Sequence, residues 1–136
     1  MREVVIKGQK IMGGKADGYA LVSKEAICWL ETLDSSGLVV EEGHDLQGKN
    51  IAGTILVFPT DKGSTSGSYV ICELVRVGSA PKAILNVKAE AITMSGAILS
   101  NIPMVHNFDV DPTEIIETGD EVTVDGDTGT VRIKKR

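Results

Sequence analysis

An apolar run from Thr54 to Phe58, closed by Pro59, leads into KGSTSGS, Lys62 to Ser68, and a second apolar run follows from Tyr69 to Val75. This order predicts a buried strand that delivers a glycine- and hydroxyl-rich loop to the start of a helix. Ser68 is the expected N-cap; Tyr69, Cys72, Val75 and Arg76 share helical spacing, and Gly78 stops the helix. Such a loop is suited to an anion. Gly63 and Gly67 permit positive φ and close backbone approach, and the first N–H groups of the helix lack intrahelical acceptors. Ser64, Thr65, Ser66 and Ser68 add hydroxyls, with Lys62 beside them. The same residues also make an ordinary solvated turn, and composition alone leaves the two readings open.

The rest of the chain reads as short strands. Val4–Ile6, Ala20–Val22 after the turn-rich stretch Gly13–Gly18, Ala26–Leu30 with the lone Trp29, and Leu38–Val40 are expected strands. Glu41–Asn50 is polar and reads as a loop. Beyond the first helix, Ala83–Val87 and Pro103–Val105 are expected strands. Between them Ala89–Ser100 fits a short helix broken near Gly96, since glycine weakens a helix interior. The clearest hairpin is Gly119–Ile133, two alternating runs about an Asp/Gly turn that holds Asp125 and Asp127.

A chain of 136 residues suits one domain, large enough for a core without disulfide or metal. A net charge of −5 excludes nonspecific nucleic-acid binding, which needs a basic field, but leaves a small phosphorylated ligand open. The N-terminal stretch is too charged for a signal peptide or membrane anchor, so a cytoplasmic protein is expected. Cys28 and Cys72 lie singly in apolar runs and read as buried small hydrophobes. With two histidines they make no metal site, and an iron–sulfur cubane would need at least three cysteine ligands or replacements. His44 is either a general acid or substrate ligand, or an exposed loop histidine without a role; His106 reads as a surface residue beside Asn107, Asp109 and Asp111.

Five blocks in order, Gly43–Gly53, Ile55–Pro59, Lys62–Val70, Ala80–Leu85 and Gly119–Val131, resemble the small subunit of aconitase X proteins, in its stand-alone archaeal type. The resemblance covers most of the chain. It implies an α/β fold, the swivelling β/β/α domain, with a strand-rich, barrel-like core and two or three helices over residues 1–136. It implies half of a heterodimeric hydro-lyase whose larger catalytic subunit holds a [4Fe-4S] cluster as Lewis acid, with no cofactor in this chain. The most similar branch dehydrates (R)-5-phosphomevalonate to trans-anhydromevalonate 5-phosphate in a modified mevalonate (isoprenoid) pathway. A hydroxyproline dehydratase of the same family and a noncatalytic anion-binding or assembly module are the alternatives. The first serine after the loop glycine matches the aconitase base, which puts that role on Ser64. Lys62, Gly63, Thr65, Ser66, Gly67, Ser68 and His44 would contact substrate. Where aconitases continue with a carboxylate-gripping arginine this chain has Thr65 and Ser66, so that grip passes to Lys62 or to the partner. A lid that closes on a partner is also expected to carry an exposed apolar patch near the loop.

Overall fold

The structure, a computed structural model, describes residues 2–135. Along the chain run β1 (Arg2–Lys7), β2 (Gln9–Met12), β3 (Lys15–Val22), β4 (Ile55–Phe58), α1 (Gly67–Arg76), β5 (Ala83–Asn86), α2 (Ala91–Ser100), β6 (Met104–His106), α3 (Pro112–Ile115), β7 (Glu121–Asp125) and β8 (Thr130–Lys135). All eight strands form one sheet in the order β1-β8-β7-β3-β4-β5-β6-β2. From β3 to β6 the pairing is parallel; β1, β8 and β7 are antiparallel on one side and β2 on the other. The two edge strands, β1 and β2, are separated in sequence only by Gly8, whose N–H donates to Gly129 O at 2.8 Å. A sheet whose opposite edges are joined by one residue must curl, and this one forms a half-barrel.

The curl makes two cores. Inside it, Ile55 and Val57 of β4 meet Leu85, Val105, Val122, Val124, Val131 and Ile133. Outside, Leu56 and Phe58 of the same strand pack with Ile84 against Ile71 and Leu74 of α1 and Ala97 of α2. Every residue of β4 and β5 is therefore buried, as central parallel strands require. Among the described residues no helix is long and apolar enough to cross a membrane.

Five local expectations differ. Ala26–Leu30 is no strand: Ile27 makes a single bridge to Asp61 and the chain then turns, with Thr32 N–H donating to Cys28 O. Ile27, Cys28 and Trp29 are buried in succession, but apart from that one bridge no neighbouring strand among the described residues pairs with them. Leu38–Val40 likewise makes only isolated bridges. Conversely, Lys15–Gly18, expected as turn, is strand because β7 pairs with it from Lys15↔Asp125 to Tyr19↔Glu121. The N-cap of α1 is Ser66, while Ser68 sits inside the helix and its hydroxyl donates to Ile92 O. Finally, α2 runs unbroken through Gly96, where a Cβ would lie 2.5 Å from Ile71 Cδ1. That glycine is the notch into which α1 packs, and the close crossing outweighs its helix penalty. The unforeseen α3 opens on Asp111, whose carboxylate accepts from Thr113 N–H ahead of Pro112.

Candidate active site

The carboxyl end of β4 leads through Pro59 and Thr60 to Asp61, where the loop begins. Asp61 Oδ2 accepts from Thr93 N at 3.0 Å and from Thr93 Oγ1 at 2.6 Å, and Thr93 Oγ1 in turn accepts from Trp29 Nε1 at 2.8 Å. Thr93 and Trp29 are both buried. Lys62 N–H donates to Ile27 O, and its ammonium reaches Glu41 Oε2 at 2.9 Å, while the other Glu41 oxygen accepts from Thr32 Oγ1. The Thr32 hydroxyl, then Lys62, holds the Glu41 carboxyl below the usual carboxylate range, and the bond to Glu41 holds Lys62 above the ordinary lysine value.

Gly63 follows with φ +77°, a left-handed conformation that a glycine adopts without strain. A Cβ there would lie 3.4 Å from Cys28 Sγ, so the buried thiol floors the loop. Ser64 is half-buried, and its Oγ accepts from Ser66 N at 3.1 Å. Thr65 and Ser66 are exposed. Gly67 is buried because α2 crosses here: a Cβ would lie 2.6 Å from Ile92 Cγ2. Of the N–H groups at this helix start, Gly67 donates to Ser64 O, and Tyr69 and Val70 to Ser66 O. Those of Gly63, Ser64 and Thr65 have no protein acceptor among the described residues. Unpaired N–H groups thus lie both on these three consecutive loop amides and, among the described residues, on Ser68 at the helix start, the kind of donors an anion can use.

Beside the loop opens a groove of about 410 Å³ lined by Trp29, Leu30, Leu33, Ser66, Tyr69 and Val70. Tyr69 is 80% exposed at its rim. A larger cavity, about 620 Å³, lies elsewhere, on the antiparallel half among Asp17, Lys82 and Arg132, and contains no loop residue.

Residues 5–133 match the family described as the aconitase X swivel domain. The chain belongs to this family. It is 54% identical over 129 residues to the phosphomevalonate dehydratase small subunit of Methanocella arvoryzae, covering 94% of this chain and 98% of that one. The Methanosarcina mazei protein of the same name is 44% identical over 137 residues, covering 100% and 95%. Among solved structures, the crystal structure of Thermococcus kodakaraensis aconitase X in its holo-form superposes with a TM-score of 0.92 at 47% identity, covering 97% of this chain and 99% of that one. The words "small subunit" in those names imply a larger partner.

In this swivel domain the seven residues from Lys62 to Ser68 form one continuous loop and helix start, but they do not face one way. Ser68 and Gly67 turn inward onto Ile92. His44 is not the exposed loop histidine considered above: its side chain is 0% exposed, Nε2 donates to Ala26 O at 3.0 Å and Nδ1 accepts from Leu46 N at 3.1 Å. Nε2 fastens the loop 41–50 to the segment under the serine loop, and Nδ1 holds the turn within the loop 41–50 itself. Glu25 and Asp45 lie close to His44, but with both ring nitrogens engaged this group offers no free imidazole lone pair to a metal. His106 is half-buried, with Nδ1 accepting from Ala89 N; burial, then Lys88, pushes its imidazole below the ordinary histidine value. Cys72 is only half-buried and accepts from Ser100 Oγ. Asp61, Thr93, Glu41 and Thr32 escaped the sequence reading. Their only local signal was the position of Asp61 next to Lys62.

Proposed function

We propose that this chain is the small subunit of a heteromeric hydro-lyase that dehydrates (R)-5-phosphomevalonate to trans-anhydromevalonate 5-phosphate, with Ser64 as the base. The observation that carries this reading is the near-full-length likeness, at 44–54% identity, to proteins named phosphomevalonate dehydratase small subunit. The loop's geometry fits the role. Dehydration removes a proton from the carbon beside the carboxylate and hydroxide from the next carbon, so a base and a Lewis acid act at adjacent positions. A serine oxygen becomes basic only where its negative charge is met by fixed donors in a site closed to water. Ser66 N–H already donates to Ser64 Oγ, and Lys62, two residues earlier in the chain, has its ammonium paired with Glu41 and would add positive charge on exchanging that partner for substrate.

Direct substrate contact falls to the exposed residues Lys62, Gly63, Thr65 and Ser66; Gly67, Ser68 and His44 support the loop from within. The described cysteines, one under Gly63 and one on α1, do not fit a [4Fe-4S] cluster, which takes at least three thiolates or substitutes. In this reading the cluster resides in the larger subunit, and the exposed groove beside Tyr69 is part of the surface that meets that subunit. The chain works in the cytoplasm as one swivelling unit, residues 1–136.

The test is anaerobic co-purification with the larger subunit, followed by assays with 5-phosphomevalonate and with hydroxyproline. A single heteromeric peak that turns over the phosphorylated substrate is expected. Turnover of hydroxyproline alone would reassign the substrate, and two separate peaks at micromolar concentration with no activity would leave only an anion-binding module.

A further inference from the structure

The stretch Lys62–Ser66 is exposed or half-buried throughout, yet both of its ends are tied to the same turn of a helix 24 to 32 residues away. On the entering side, the Asp61 carboxylate accepts from the N–H and hydroxyl of Thr93. On the leaving side, Ser68 Oγ donates to Ile92 O and Gly67 packs without a Cβ onto Ile92. Glu90, the N-cap of α2, makes no side-chain cap bond, so Asp61 fills that office from another segment, placing a carboxylate at the positive end of the helix. Thr93 is itself locked by Trp29 Nε1.

We infer that Asp61 is a positioning residue for the dehydration: by capping the first turn of α2 it fixes where the serine loop leaves the domain, and so where Ser64 Oγ stands. This rests on the reading of Ser64 as the base. A reacting atom displaced by about 1 Å loses about 100-fold in rate, so a loop with one end released should lose turnover without losing its substrate contacts. Geometry, and not the charge of Asp61, is the quantity at stake. Asparagine in place of Asp61 keeps an oxygen that accepts from both Thr93 donors, whereas alanine keeps none.

The reconstituted heteromer carrying Asp61→Ala, Asp61→Asn or Ser68→Ala, with Ser64→Ala as control, is measured for kcat and KM and for deuterium uptake of the loop by mass spectrometry. Asp61→Ala should lower kcat roughly 10- to 100-fold with KM changed less than about threefold, and the peptide holding Lys62–Val70, whose Lys62, Ser66, Gly67, Tyr69 and Val70 amides are hydrogen-bonded, should exchange faster while β7 and β8 do not. Asp61→Asn should stay within about fivefold of the parent, and Ser68→Ala, which releases the other end, should fall between the two. Unchanged kcat and uptake in Asp61→Ala would overturn the inference, as would an Asp61→Asn enzyme as slow as the alanine variant, which would make the charge itself the agent. An Asp61→Ala chain that fails to fold leaves the decision with Asp61→Asn and Ser68→Ala, and an unaltered loop and kcat in Ser68→Ala would then overturn it. If Ser64→Ala remains active, the base assignment fails instead, and the loop's deuterium uptake still decides whether Asp61 holds it.

Discussion

The hairpin β7–β8 and the loop Lys62–Ser68 are ordered in opposite ways. In the hairpin every side chain's direction follows from strand register: Val122, Val124, Val131 and Ile133 point into the curl, while Glu121, Arg132 and Lys134 point out and pair across strands. Its backbone polar groups are consumed by the ladder. In the loop there is no ladder, and position is set by side chains from three distant segments: Trp29 and Thr32, Glu41, and Thr93 on α2. Three loop amides, of Gly63, Ser64 and Thr65, are left without a protein acceptor among the described residues. Regular pairing leaves nothing for chemistry, and the proposed base, Ser64, sits where pairing stops and tethers take over.

Substitutions should separate the two regions cleanly. Ser64→Ala should reduce kcat of the reconstituted enzyme by orders of magnitude while changing the stability of the chain by no more than about 0.5 kcal/mol, a split seen by pairing steady-state kinetics with thermal melts. Ile133→Ala should do the reverse. It removes a fully buried side chain from the curl and should cost about 2–5 kcal/mol in chemical denaturation, with kcat per folded molecule unchanged. Gly96→Ala tests the connection between the regions, because the added methyl meets Ile71 where α1 crosses α2; about 1–3 kcal/mol of destabilisation is expected. A smaller effect belongs to the half away from the loop. Burial disfavours the Lys135 ammonium, but Asp120 at 2.6 Å and Glu117 at 3.0 Å outweigh it, so its pKa is raised on folding. A raised lysine contributes fully below its unfolded value, about 10.4, and loses that contribution as pH climbs through the folded value. Melts of the parent should therefore fall more steeply above about pH 10 than those of Lys135→Met; parallel curves would show that the pairing does not matter.

What the sequence revealed follows the same division. The hairpin was legible because alternation fixes both element and face, and β4 because an apolar run ending at Pro59 has few other uses. Ala26–Leu30 has a similar run but no period, and its three successive buried residues serve a turn packed under the loop. Lys15–Gly18 has turn composition, and only its partner β7 makes it a strand. The loop itself was legible as KGSTSGS. What holds it was not: Ser68, the expected cap, lies inside the helix with its hydroxyl on Ile92 O, and Ser66 takes the N-cap position without a side-chain cap bond. No local rule connects Asp61 to Thr93.

The central claim, that a serine of this chain removes the proton, is tested most directly by isotope exchange. The heteromer is incubated with 5-phosphomevalonate in D2O, and deuterium entering the carbon beside the carboxylate is followed by NMR. The parent should exchange that hydrogen and form product, while the Ser64→Ala heteromer, still binding substrate, should do neither. Deuterium incorporation at the parent's rate in Ser64→Ala would contradict the account and move the base to another residue or to the partner subunit.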